Sequence, residues 1–251
     1  MSKRKRLLIW FGSAALVVAV YVWFFGFATM ATVQARYVAR RFPVVKVTPA
    51  PLPDSSTFAG PVQRQIYAGY EFEVPWIVDE TKGRRISPTS EVIVFTSGNA
   101  IWFSRSPAKD FVHTLLKCSS VDERNLRLLF GDAVDSDYAL HKLILDSTPQ
   151  RIGLLSSRTE AAAVSMLLLY KGIMVSGDAE TGIFQVQTSD FQGFQYGDPL
   201  RRPKTVEVQM FSNDGGLAFL FVQRQSGPAA AITQREINRV VQSAHKIAIG
   251  G

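Results

Sequence analysis

The first part of the chain is apolar over a length that suits a membrane-spanning helix. Residues 7–35 contain no charged side chain, and a helix needs ~20 apolar residues to cross ~30 Å of hydrocarbon. Lipid offers the backbone no hydrogen-bond partners, so a spanning segment of this kind must be helical. Aromatic side chains lie toward both ends, as is typical of membrane interfaces. The pattern predicts a transmembrane helix over residues 7–29.

A cleaved signal peptide is the alternative interpretation of this segment. Val33-Gln34-Ala35 offers the small residues that a cleavage site requires. The apolar core, however, is longer than the ~7–15 residues of a signal-peptide core. We therefore expect a retained helix, and both interpretations export residues 36–251.

Beyond residue 61, alternating apolar and polar positions predict strands. Residues 70–74 alternate with a period of two, which is typical of a half-buried strand. Two pairs of β-prone runs are each joined by a stretch that contains four turn-forming residues, and these pairs predict hairpins. The first pair is 91–95 and 100–103. The second is 206–210 and 217–222, joined by Asn213-Asp214-Gly215-Gly216. Residues 182–187 predict one further strand.

Helix-capping residues predict five more helices. Their expected starts are Ser106-Pro107, Asp122, Asp135, Ser157 and Thr233. The helix that begins after Ser157 is apolar on every side over residues 161–170, but Glu160 and Lys171 bound it too closely for a membrane span. We therefore expect it to be a buried core helix.

This order of elements predicts an α+β fold. We expect a mostly antiparallel sheet, with a mixed sheet left open, covered by helices and preceded by one N-terminal transmembrane helix. The predicted layout has four parts in chain order. They are a basic cytoplasmic N-terminus (1–6), the transmembrane helix (7–29), a membrane-proximal basic segment with a Pro-rich tether (30–61), and a single extracytoplasmic α+β domain (62–251).

The positive charge of the chain belongs to its first residues. Residues 1–46 hold eight of the 28 Lys and Arg and none of the 21 Asp and Glu, which leaves 20 basic and 21 acidic residues beyond them. A phosphate-binding surface needs its basic residues on the folded domain, so we do not expect nucleic acid as a partner. The dense cluster Lys3-Arg4-Lys5-Arg6 favours a cytoplasmic N-terminus. We expect the inner membrane of the cell, with the domain in the periplasm if the source is a Gram-negative bacterium.

The sequence offers no strong catalytic or metal-binding motif. Its single cysteine, Cys118, excludes an intrachain disulfide, and its three histidines lack the spacing of a zinc site. Asp132, Asp135 and Asp137 lack the Gly and terminal Glu of a calcium loop. We therefore expect no cofactor and no metal, and we assign no catalytic residue.

One segment stands out as a candidate binding site for a partner or ligand. Residues 190–203 combine aromatics, glycines, acids and arginines between two strands, and aromatics and Arg are enriched at recognition surfaces. The alternative is a pleated strand whose aromatics pack in the core. The candidate residues are Asp190, Phe191, Phe194, Tyr196, Asp198, Arg201 and Arg202.

These features favour a membrane-anchored extracytoplasmic module without enzymatic activity. It would bind the lipid bilayer through residues 7–29 and present one globular domain to a protein partner or a ligand in the envelope. Two alternatives remain, a membrane-tethered enzyme of hydrolase type and a structural subunit of an envelope complex.

Overall fold

The computed structural model describes residues 3–41, 46–82, 84–118, 122–153, 156–175, 182–201, 204–223 and 231–247. Over these residues the helices are α1 (Lys3–Arg41), α2 (Asp110–Cys118), α3 (Glu123–Phe130), α4 (Asp137–Asp146), α5 (Arg158–Met174) and α6 (Gln234–Ser243). The strands are β1 (Ala50–Pro51), β2 (Gln63–Tyr67), β3 (Tyr70–Val74), β4 (Arg84–Ser87), β5 (Ser90–Val94), β6 (Ala100–Pro107), β7 (Ile183–Gln187), β8 (Gln192–Tyr196), β9 (Thr205–Ser212), β10 (Gly215–Val222) and β11 (His245–Lys246). The predicted α+β class is confirmed.

The chain divides into two compact units, which we describe separately. The first comprises Met1–Lys46, His113–Val134 and Lys142–Met174, and is helical over the residues described. The second comprises Val47–Val112, Asp135–His141 and Val175–Gly251, and holds all the strands described. The single domain predicted over residues 62–251 stays a prediction.

Two sheets make up the second unit. The larger has eight strands in the order β1-β7-β8-β9-β10-β6-β5-β4, and the smaller has the order β11-β3-β2. The short pair β1–β7 is parallel and every other described pair is antiparallel, so the larger sheet is mixed. This is the alternative that the sequence left open.

The main core belongs to the second unit and consists largely of aromatic side chains. Phe103 and Phe219 are fully buried on the larger sheet, and Phe72 from the smaller sheet contacts both rings at centroid distances of 5.2 Å. Ile237 and Val240 of α6 join the same cluster. Aromatic contacts of this geometry add to the stability that the buried area provides.

The predicted turn and cap residues explain several of these elements. Gly215 adopts a φ of 144° at the β9–β10 turn, a backbone conformation that favours glycine. At the start of α6, Thr233 and Glu236 form a reciprocal capping box. The predicted helix start at Ser106-Pro107 is wrong, because β6 continues to Pro107, which lies opposite Gly215 of β10, and α2 begins only at Asp110.

The predicted tether is more structured than an extended spacer. Helix α1 continues to Arg41, and β1 lies within the proline-rich stretch. Asn238 of α6 donates its side-chain amide to the carbonyls of Asp54 and Ser56 at 2.7 and 2.8 Å, and Arg235 pairs with the Asp54 carboxylate at 2.9 Å. Hydrogen bonds from Ser56 and Arg235 lower the pKa of Asp54 to about 2. We call residues 54–58, held on α6 in this way, the α6 clamp.

In the first unit, α1 packs against α5 near the C-terminal end of α1. Ala28 and Thr32 of α1 are buried, and the Thr32 hydroxyl donates to the carbonyl of Ala28 at 2.7 Å. Ala28 belongs to an apolar cluster with Ile152, Ala161 and Val164. Small side chains at such a crossing let two helices approach closely. The window Ala15–Val33 is long and apolar enough to cross a membrane, and 11% of it is buried.

Helix α5 is only partly the core helix that the sequence predicts. Ala161, Val164 and Leu167 are buried, but Leu169 and Ile173 are each more than 60% exposed. The charged residue that ends the apolar run has a structural role. The Lys171 ammonium donates to the carbonyls of Leu145 and Ser147 at 2.5 and 2.8 Å, at the C-terminal end of α4. Burial lowers the pKa of Lys171 to about 8.

Candidate interaction face on the eight-stranded sheet

The structure separates the candidate residues of the 190–202 segment. Phe191 and Phe194 are buried, so neither ring is available to a partner, in agreement with the pleated-strand interpretation. Asp190 and Arg201 are exposed, and Tyr196 and Asp198 are half-buried. The remaining candidate, Arg202, lies outside the described residues.

Asp198 and Arg201 form a local ion pair rather than an open recognition site. The Arg201 Nε lies 3.7 Å from the Asp198 carboxylate, three residues before it. That carboxylate also accepts the backbone N–H of Leu200 at 3.0 Å. Exposed pairs of this kind contribute ~0–1 kcal/mol, so their main effect is to shape the short turn after β8.

Gly193 is required by the close approach of β8 and β9. A Cβ added at this position would lie 1.9 Å from the Gln209 carbonyl oxygen. Gly193 is therefore a packing residue inside a strand. It lies between Phe191 and Phe194, which face opposite sides of the sheet.

The sheet has an inner face on the main core and an outer face on the opposite side. On the outer face, cross-strand neighbours form a row that runs through five strands. Trp102 of β6 lies between Val92 of β5 and Leu220 of β10. Leu220 lies opposite Glu207 of β9, which in turn lies opposite Tyr196 of β8. We call this set the outer row.

The first turn of α4 covers one part of the outer face. Tyr138 stacks on Phe194 at a centroid distance of 5.1 Å and an interplanar angle of 10°. The His141 ring lies 4.4 Å from that of Phe111 and 4.6 Å from that of Phe211. Its Nδ1 bonds the Asp137 carbonyl at 2.8 Å. These contacts make His141 a packing residue, held in a fixed orientation between two aromatic rings.

Burial controls the charge of the polar groups on this face. It lowers the pKa of His141 to about 4, so the imidazole is neutral at pH 7. Burial, and secondly the Glu207 carboxylate, raise the pKa of the Tyr196 phenol. The Tyr196 hydroxyl is buried and has no hydrogen-bond partner among the described residues. Glu207 instead accepts from the Gln209 amide at 2.6 Å.

The part of the outer face around Trp102 is open. Trp102 keeps 44% of its surface exposed, although it lies on a strand that has a neighbour on each side. Its flanking residues Val92 and Leu220 are half-buried. The site has no local signal in the sequence, because residues 100–103 are apolar on both faces. Only the register with β10 determines which side chains point outward.

Candidate metal ligands are scattered over the described residues. No group of three His, Cys, Asp or Glu is positioned to hold a metal ion among them. His113 is exposed on α2, and His141 of α4 is buried against the outer face. His245 lies 3.7 Å from Glu71 at the edge of the smaller sheet. A depression lined by Pro199, Val206 and Ile232 has a volume of about 10 Å³, room for roughly one water molecule.

Comparison of the chain with protein-family models, with curated proteins and with solved structures finds no match.

Proposed function

We propose that the chain is a membrane-anchored extracytoplasmic interaction module that binds a protein partner through the open part of the outer face. The observation that carries this proposal is the position of Trp102, half-exposed in the middle of a wide sheet between two apolar neighbours. Tryptophan is strongly enriched among residues that dominate binding energy. An apolar patch on an otherwise polar surface is a typical interaction site.

The anchor in this proposal is α1. Between residues 15 and 24 every described side chain except Tyr21 is exposed, and most are large and apolar. Exposed Val17, Val18 and Trp23 would be costly in water, whereas hydrocarbon accommodates them without cost. A lipid environment for this stretch accounts for the exposure, and the length of the helix is sufficient for it.

The orientation follows from charge. Lys3 to Arg6 are consecutive basic residues at one end of α1, whereas Arg36, Arg40 and Arg41 are further from the apolar stretch on the other side. The denser cluster favours the cytoplasm. The sheets would then lie outside the inner membrane, in the periplasm of a Gram-negative cell.

A binding role is favoured over an enzymatic one by the surroundings of the titratable groups. A hydrolase-like site needs titratable side chains that orient one another in a cleft. On the outer face, His141 contacts two aromatic rings and a backbone carbonyl, and its low pKa keeps it uncharged. Such a residue supports the sheet rather than transferring protons.

Affinity capture with the full-length chain tests the proposed face. Trp102→Thr removes the exposed aromatic and keeps a side chain that suits strands. The matched control is Ile66→Thr, which removes an exposed apolar side chain from β2 in the smaller sheet. We expect Trp102→Thr to reduce recovery of a co-purifying envelope protein by at least roughly thirtyfold, the loss that ~2 kcal/mol implies.

The control distinguishes binding through a specific face from nonspecific hydrophobic binding. Equal losses with Ile66→Thr and Trp102→Thr would contradict the proposal, as would full recovery with Trp102→Thr. Orientation is tested separately with a reporter fused to the C-terminus. Reporter activity in the cytoplasm would contradict the proposed orientation.

A further inference from the structure

The uncharged stretch of α1 is longer than a bilayer requires. Residues 7–35 number 29, and at 1.5 Å per residue they extend over about 43 Å as a helix. The hydrocarbon core is about 30 Å thick. Roughly a third of the uncharged stretch must therefore lie outside the hydrocarbon, or the helix must tilt strongly.

The exposure of side chains indicates which part of the uncharged stretch lies outside the hydrocarbon. Residues 15–20 and 22–24 of α1 are exposed around the whole helix, whereas from residue 25 onward one face is covered. Ala28 and Thr32 are buried by the cluster that includes Ile152 and Ala161. The change in exposure divides α1 into a stretch whose described side chains are mostly exposed and a stretch that the rest of the first unit packs against.

A charged side chain lies at this division. The Arg158 guanidinium, at the start of α5, lies over the Phe27 ring at 5.5 Å from its centroid. A second arginine, Arg151, lies over Phe130 at 5.8 Å, and Phe130 packs against the cluster around Ala28. An arginine is costly in the centre of the hydrocarbon, so the level of Phe27 suits the headgroup layer.

Both arginines are available to an anion. Each is exposed, and neither forms an ion pair with a carboxylate among the described residues. Guanidinium groups bind phosphate through two parallel hydrogen bonds. A phospholipid phosphate is the anion that a bilayer presents at this level of α1.

We infer that Arg158 and Arg151 bind the phosphate of an anionic phospholipid where α1 leaves the membrane, and that the outer headgroup layer lies at Phe27. This inference rests on the proposed membrane anchor. The uncharged stretch from residue 7 to residue 27 then extends over about 31 Å, which matches the hydrocarbon core. Residues 28–33 are an extramembrane docking site for α5.

The first experiment tests the position of the boundary with matched single cysteines. In a Cys118→Ser background, Val22→Cys and Met30→Cys replace two α1 side chains with nearly equal exposure, 59% and 60%. The full-length protein is placed in lipid nanodiscs, where both membrane faces are accessible, and treated with a water-soluble maleimide. We expect modification of the cysteine at position 30 and protection of the cysteine at position 22.

The other outcomes separate the two proposals. If both positions react, α1 is not embedded and the proposed anchor fails together with this inference. If neither reacts, the anchor stands, but the boundary lies beyond residue 30 and this inference is wrong. Thermal unfolding of both variants confirms that α1 and α5 remain packed.

The second experiment tests lipid binding at the arginines. Native mass spectrometry counts phosphatidylglycerol molecules retained by the full-length chain after extraction from nanodiscs. We expect Arg158→Gln to lower retention about fivefold, which corresponds to ~1 kcal/mol. The control Arg124→Gln removes the same charge from an exposed position on α3.

Three results would overturn the lipid site. They are unchanged retention with Arg158→Gln, an equal loss with Arg124→Gln, and displacement of the lipid by inorganic phosphate at matched concentration. The last result would indicate a general anion site rather than a site for a membrane phospholipid.

Discussion

The two faces of the eight-stranded sheet are made by the same strands and differ in what covers them. On β10, Phe219 is fully buried on the inner face, whereas its neighbour Leu220 is half-buried on the outer face. Both residues are large and apolar. The difference shows that composition alone does not distinguish a stabilising position from one available for recognition. The register of the strands and the covering layer decide between them.

The largest expected effect is on the inner face. Phe219→Ala removes a ring that contacts Phe72, Phe103 and Phe221, and we expect the free energy of unfolding to fall by ~3–5 kcal/mol. Leu220→Ala, one position along, should cost much less because its side chain is already partly in water. Urea unfolding of both variants measures the contrast, and equal losses would refute the distinction between the faces.

The covered part of the outer face should respond to pH through His141. Burial holds its pKa near 4, below the ordinary value of 6.5, so the unfolded chain binds the proton more readily. The stability gained from the neutral, buried imidazole is fully present above pH 6.5. It falls by on the order of 3 kcal/mol as the pH drops toward 4. Burial raises the pKa of Asp137, which acts in the opposite direction on acidification.

Comparison with His141→Gln isolates the histidine, because the Asp137 carboxylate is present in both proteins. We expect the free energy of unfolding of the variant to depend less on pH between 4 and 6.5 than that of the parent. Parallel pH profiles would mean that the imidazole is not buried in its neutral form.

A smaller effect is expected where the covered and open parts of the outer face meet. The Tyr196 hydroxyl is buried without a hydrogen-bond partner among the described residues, and an unmade bond of this kind costs ~1–3 kcal/mol. Tyr196→Phe removes the hydroxyl and retains the ring. We expect stability to stay constant or to rise by ~1 kcal/mol in thermal and urea unfolding. A clear loss would show that the hydroxyl is bonded in solution.

The smallest effect on stability is expected from a substitution in the open part of the outer face. Trp102 is exposed over 44% of its surface, and threonine suits the strand. We expect Trp102→Thr to change the free energy of unfolding by no more than ~1 kcal/mol, while reducing partner recovery as proposed above. A loss of stability comparable with that of Phe219→Ala would show that Trp102 is a core residue. The proposed face would then lose its basis.

Elements with strong local signals were predictable from the sequence. Asn213-Asp214-Gly215-Gly216 predicts the β9–β10 hairpin, and Thr233 with Glu236 predicts the start of α6. The β2 strand was missed because Gln63-Arg64-Gln65 is polar. This strand is at the edge of its sheet, where polar and charged side chains are common.

The candidate site was largely beyond sequence analysis. The composition of residues 190–202 predicts a recognition segment, but its two phenylalanines are buried, and residues 192–196 form the strand of the alternative interpretation. Trp102 gave no local signal, because its direction depends on pairing with β10, more than a hundred residues later. Long-range pairing of this kind is not encoded in any short window.

The α6 clamp has a mechanical consequence. A pulling force that reaches the sheets from α1 acts first on β1, a two-residue strand at the sheet edge, and then on the few hydrogen bonds between residues 54–58 and α6. The eight-residue pairing of β9 with β10 carries load only after these bonds break. Residues 47–62, once released, could extend over up to about 50 Å. We therefore expect the α6 clamp to open under tension before the sheets unfold.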